Sequence, residues 1–131
     1  MKITSILILI LGVLIGGIII LGAGDKKQST SSIELKNNVE MVGNKQVITI
    51  NAKGGYSPIL TTAKAGISTV IKMKTRGTFD CSSAVYIPIL NYRENLPPSG
   101  EVSIDVPPQQ VGTSMQGLCS MGMYNFVINF N

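Results

Sequence analysis

The residues of this chain best equipped for chemistry carry sulfur. In "GLCSMGMYNF" (117–126), Cys119, Met121 and Met123 set one thiol and two thioethers within five positions. The other cysteine, Cys81 in "TRGTFDCSSAVYIPIL", lies 38 positions upstream. Among 131 residues there are six methionines and no histidine, so no imidazole accompanies these sulfurs. A cysteine pair at this separation fits a structural disulfide, two buried thiols or a thiolate metal site, and spacing leaves all three open. Without histidine there is no Ser-His or Cys-His pair. The acids from Gln28 onward form no recognisable motif, so catalysis is the least supported class.

Each of these residues also has an ordinary structural role to be weighed. Methionine most often fills core gaps, and Met73 and Met115 are assigned that role. Met121 and Met123 differ in flanking a glycine beside a cysteine. With Cys119 they occupy odd positions, which an extended loop would project to one side, while Gly122 lets the loop curl. Cys81 shares strand parity with Ser83, Val85, Ile87 and Ile89, which would turn its sulfur toward an apolar side. Arg76 and Asp80 flank Cys81, and a nearby cation can lower a thiol pKa. They are read as solvated loop charges.

Positioning these sulfurs falls to strands. "QVITIN" (46–51), "ISTVIKMK" (67–74), "EVSIDV" (101–106) and "YNFVINF" (124–130) are rich in β-branched and aromatic residues at strand length. Tyr124, Phe126, Ile128 and Phe130 share one face; Val102, Ile104 and Val106 share another, as do Ile67, Thr69, Ile71 and Met73. "KGGYSP", "KAG", "NLPPSG" and "PPQQVG" supply glycine and proline where direction must change. Short strands at such intervals predict a β-sandwich of about seven or eight strands around one core.

The amino-terminal stretch is of another kind. Residues 6–24, "ILILILGVLIGGIIILGAG", run nineteen positions without a charge; as a helix they would cross roughly 30 Å of hydrocarbon. Residues 1–24 are therefore expected to form a membrane anchor. A cleaved secretory signal competes, but the apolar run exceeds the roughly 7–15 residues of a signal core. "DKKQSTSS" (25–32) is polar and small, and 25–44 is expected to be a flexible linker before a domain over 45–131. The formal charge is +4, and from Gln28 onward eight Lys/Arg against six Asp/Glu leave +2, too little to argue for nucleic acid. Lys2 on one side of the anchor and Lys26 and Lys27 on the other leave its orientation undecided by charge.

"GGYSPILTTAKAGISTVIKMKTRGTFDCSSAVYIPIL" followed by "PPQQVGTSMQGLCSMGMYNFVINFN" resembles a cupredoxin domain. In that family one copper ligand opens a strand and the others lie on the loop before the last strand. Blue-copper members use two histidines, a cysteine and a weak axial methionine. Here Cys81 stands in the place of the first histidine and "CSMGM" replaces the Cys-His-Met loop, which argues against a blue electron-transfer site. The chain is more similar to the membrane-anchored cupredoxin-fold Cu(I) chaperones of Gram-positive copper-resistance operons, the CupA family. It also resembles the related domain of some copper-exporting ATPases. "CSSAVYIP" and "CSMGMYNF" carry the resemblance.

The resemblance implies an all-β, cupredoxin-like Greek-key sandwich behind one transmembrane helix. It also implies two Cu(I) ions, one held tightly between Cys81 and Cys119, the other more weakly on Cys119, Met121 and Met123. Soft thiolate and thioether donors do select Cu(I) over hard cations. The expected function is a membrane-tethered Cu(I) chaperone, not an enzyme, that passes copper to a copper-exporting P-type ATPase, with its domain in the cytoplasm. The alternatives are an extracellular binding module whose cysteines form a disulfide, and an outward-facing copper scavenger. Lys72, Lys74 and Arg93 are candidate contacts for an acidic partner.

Overall fold

Alternating apolar and polar residues build ten strands over the part of the chain that the computed structural model describes, residues 37–131. They are β1 (Val39–Val42), β2 (Lys45–Ala52), β3 (Tyr56–Ser57), β4 (Leu60–Ala63), β5 (Thr69–Arg76), β6 (Ala84–Ile87), β7 (Tyr92–Asn95), β8 (Ser99–Val106), β9 (Ser114–Cys119) and β10 (Asn125–Phe130). The only helical pieces among the described residues are two 3-10 turns, Cys81–Ser83 and Pro88–Leu90. The anchor expected over 6–24 lies outside the described residues. Among the described residues no helix is long and apolar enough to cross a membrane.

The strands form two five-stranded sheets. One runs β1-β2-β5-β8 with β3 also on β2, and the other runs β4-β10-β9-β6-β7. Most neighbours are antiparallel, but β2 pairs with β5 and β4 with β10 in parallel. Parallel neighbours need a crossover between them, and here the chain crosses from one sheet to the other to supply it. Each sheet therefore holds strands distant in sequence.

Both sheets turn their apolar faces inward. Phe126, Ile128 and Phe130 on β10 are fully buried, as their shared parity predicts. Ile71 and Met73 on β5, Ile104 and Val106 on β8, and Ile48 and Ile50 on β2 meet them in one core. Burying a side chain of this size stabilises the fold by about 1.5–3 kcal/mol. Met73 and Met115 are completely buried, in agreement with their expected core role. Gln46, also buried, leaves no polar atom unpaired. Its Nε2 donates to Lys64 O (2.7 Å) and Thr69 Oγ1 (2.8 Å), and its Oε1 accepts from Lys64 N (3.0 Å).

Three expectations need correction. The stretch 25–44, read as linker, contains β1, whose register on β2 runs from Val39 opposite Ile48 to Val42 opposite Lys45. Polar and glycine residues around this short strand hid its pairing. The strand count exceeds eight because two- and four-residue strands carry too little periodicity to be seen. Finally, "CSSAVYIPIL" is not one continuous strand. The 3-10 turns bracket β6, and Ile89, expected on the apolar face, is 53% exposed.

Candidate metal centre

Two separate pieces of chain bring the sulfurs together at one end of the sandwich. Cys119 closes β9 and sits opposite Val85 of β6 in the antiparallel register. Cys81 opens the 3-10 turn that leads into the same strand. Their Cα atoms are 5.8 Å apart and the two sulfurs are joined as a disulfide. Cys119 is buried, whereas Cys81 is half-buried and packs against the core from its edge. The expected proximity of the two cysteines is therefore found. The route differs: Cys81 points inward because of a 3-10 turn, not strand alternation.

Asp80 makes that turn possible. The backbone donors that open a helical turn lack partners within it, and Asp80 Oδ1 accepts from Ser82 N at 2.8 Å and from Ser82 Oγ. Its main-chain oxygen accepts from Ser83 N (3.1 Å) and Ser83 Oγ (2.9 Å). Its other carboxylate oxygen accepts from Gly54 N at 2.8 Å. The hydrogen bonds from the Ser82 hydroxyl, then from the Ser82 and Gly54 amides, hold its carboxyl below the usual aspartate range. Asp80, expected to be a solvated loop charge, is exposed yet tied to two loops. The Asp-x-Ser pattern of "DCSS" was the available signal, as aspartate is a preferred cap.

The other arm is the turn between β9 and β10. Gly122 N donates to Cys119 O (2.9 Å), and Cys119 N donates to Tyr124 O (3.0 Å). Gly122 adopts φ +71°, a left-handed conformation that glycine takes without cost. This tight turn replaces the extended loop expected from the odd spacing of Cys119, Met121 and Met123. Both methionines end up on the surface, Met121 77% and Met123 66% exposed. The core-filling role does not apply to them. Tyr124 N donates to Cys119 Sγ at 3.4 Å, placing an amide donor on the buried sulfur.

The four expected site residues thus lie on two segments, the 3-10 turn at Cys81 and the end of β9 with its following turn, with the cysteines joined and the methionines exposed. Among the described residues no three of His, Cys, Asp or Glu gather as a metal-holding group. Any soft-metal site here would consist of the two cysteine sulfurs and the two thioethers. Of the candidate partner contacts, Lys72 and Lys74 stay on the surface and both reach Glu101, at 3.2 and 3.6 Å. Arg93 lies over the Tyr86 ring, 4.4 Å from its centroid.

This fold and its family agree. The cupredoxin-like domain family matches residues 23–128, and the chain belongs to it. Among solved structures, the chain is similar to a copper binding protein in the apo form, solved by NMR, at 22% identity and TM-score 0.64 over 71% of this chain and 94% of that one. It is equally similar, at 22% identity and TM-score 0.64, to the metal binding domain of the Streptococcus pneumoniae D39 Cu(I) exporting P-type ATPase CopA with Cu(I). That match covers 71% of this chain and 92% of the domain. Auracyanin B shares the fold at 6% identity and TM-score 0.50, over 73% of this chain and 95% of its own. No curated protein matches the chain.

Proposed function

We propose that this protein is a Cu(I) carrier, held at a membrane by residues 6–24, that passes copper to a copper-exporting P-type ATPase. One observation carries the reading: Cys81 and Cys119 meet at the sandwich end where Met121 and Met123 stand exposed on the adjoining turn. Two thiols and two thioethers form a soft donor set without nitrogen or carboxylate, which favours Cu(I) over hard cations. The fold likeness to the metal binding domain of a Cu(I) exporting ATPase supports the same cargo.

Loading requires the reduced form, because only thiolates act as ligands. In the proposed cycle Cys81 and Cys119 share one Cu(I), and Cys119, Met121 and Met123 hold another. Neutral thioethers bind more weakly than thiolates, so the outer ion leaves first by exchange onto the thiols of an acceptor. The exposure of both methionines suits that role. The domain would face the cytoplasm, where thiols stay reduced, and a tether would raise its concentration near an ATPase in the same bilayer.

The test is a Cu(I) titration of the reduced full chain in detergent against a chelating competitor. Wild type should take up two ions; Cys81→Ser should lose the tight one, Cys119→Ser both, and Met121→Leu/Met123→Leu only the weak one. Cysteine variants that bind as tightly as wild type would sink the assignment.

The disulfide itself favours a second reading, an extracellular module whose cysteines are bonded to stabilise the fold. Protein from intact cells, alkylated on lysis and weighed by mass spectrometry, separates the two, since a fully oxidised pair contradicts a cytoplasmic carrier. Protease accessibility on whole cells distinguishes the cytoplasmic carrier from an outward-facing scavenger with the same donors.

A further inference from the structure

A third loop, carrying no sulfur, touches both arms of the site. Between β2 and β3 the chain bends at Lys53–Gly55, closed by Lys53 N donating to Gly55 O at 2.9 Å. On one side Gly54 N donates to Asp80 Oδ2 at 2.8 Å, and Asp80 in turn caps the turn that Cys81 opens. On the other side Gly55 stands beside the Tyr124 ring, where an added Cβ would sit at ordinary contact distance, 3.4 Å from Cδ1. The amide of Tyr124 reaches Cys119 Sγ at 3.4 Å. Hydrogen bonds therefore tie the turn at Cys81 through Asp80 to Gly54, and the next residue, Gly55, stands beside Tyr124, whose amide reaches Cys119; none of this depends on the bond between the sulfurs. Gly54 at φ +61° and Gly55 at φ +121° hold conformations that side chains disfavour, which keeps the bend tight.

We infer that the Lys53–Gly55 bend sets the relative position of the two cysteine sulfurs, and that Asp80 is the positioning residue through which it holds Cys81. This rests on the copper reading above for its metal consequence, but the geometry applies to the sulfur pair whatever it binds. When the disulfide is reduced, these contacts remain beside the β6–β9 pairing to keep Cys81 facing Cys119. Groups that orient a metal ligand without touching the metal typically change affinity 10–100-fold when removed.

The experiment uses the full reduced chain in detergent, titrated with Cu(I) against a chelator, as wild type, Asp80→Ala, Asp80→Asn and Gly54→Asn. Asp80→Ala should weaken the ion shared by Cys81 and Cys119 10–100-fold and leave the weaker ion within about twofold. Asp80→Asn, which keeps an oxygen for Ser82 and loses the second acceptor for Gly54, should fall between Asp80→Ala and wild type. Gly54→Asn keeps the amide donor, and asparagine tolerates a left-handed backbone, so it should match wild type. An unchanged tight ion in Asp80→Ala, or equal weakening of both ions, would overturn the inference.

The reduction equilibrium of the cysteine pair against glutathione buffers supplies a readout without copper. Asp80→Ala should make the disulfide about tenfold easier to reduce, close to 30 mV for a two-electron couple, with Gly54→Asn unshifted. Failure of wild type to bind Cu(I) would remove the carrier reading alone. An unshifted potential in Asp80→Ala would remove the positioning role.

Discussion

At Gly117 a single missing side chain decides how the last two strands pack. Gly117 faces Phe126 across the β9–β10 register, and an added Cβ would fall within the Phe126 ring. Phe126 is fully buried and meets Tyr56 edge-on, 5.2 Å between centroids, so it has little room to move. Gly117→Ala should destabilise the fold by about 1–3 kcal/mol, read as a lower urea midpoint. Tyr56 provides a second handle. Burial, and to a lesser degree the charge of Asp80, push its hydroxyl up to about 12 from 10.0. A raised folded-state value favours the neutral form in the native state. That stabilisation is complete below pH 10 and is lost as pH rises toward 12. Stability should fall across this window in wild type and less in Tyr56→Phe, measured by denaturant unfolding at stepped pH.

The β9–β10 turn separates function from folding at the scale of an element. Its backbone is closed by Gly122 N to Cys119 O and Cys119 N to Tyr124 O, and its methionine side chains are mostly exposed. Met121→Leu/Met123→Leu should therefore leave unfolding free energy within about 0.5 kcal/mol of wild type while removing one bound Cu(I). Loss of stability by more than that would mean the thioethers pack in a way the structure does not show. The turn also explains where sequence reasoning stopped. "CSMGM" supplied the candidate sulfurs, but odd spacing suggested an extended loop. The tight turn depends on Gly122 at positive φ and on pairing between two strands, which spacing alone does not encode. Cys81 is the parallel case: strand parity pointed its sulfur the right way for the wrong reason, because Asp80 starts a 3-10 turn there.

Over the whole molecule the Cys81–Cys119 link closes a loop of 38 residues that includes β6, β7, β8 and β9. By chain entropy such a crosslink stabilises the folded state by about 2–4 kcal/mol, so reduction should lower the melting temperature by several degrees. If the carrier reading holds, saturating Cu(I) should restore much of that loss, as an ion at a hundred times its dissociation constant contributes about 2.7 kcal/mol. Differential scanning calorimetry of oxidised, reduced and copper-loaded protein checks both. A reduced form that copper does not stabilise would contradict binding across the two thiols.

The residues by themselves determined the all-β class, the inward faces of β5, β8 and β10, and the four sulfurs, because strand alternation and donor chemistry are local properties. Only the tertiary structure decided which strands are neighbours, since parallel pairs such as β2 with β5 join segments separated by a crossover to the other sheet. It alone brought the Lys53–Gly55 bend, Asp80 and Tyr124 around the sulfurs. Glycines and a charged residue carry no signal of metal chemistry in sequence; their place beside the sulfurs arises from hydrogen bonds and neighbours gained only when distant loops meet.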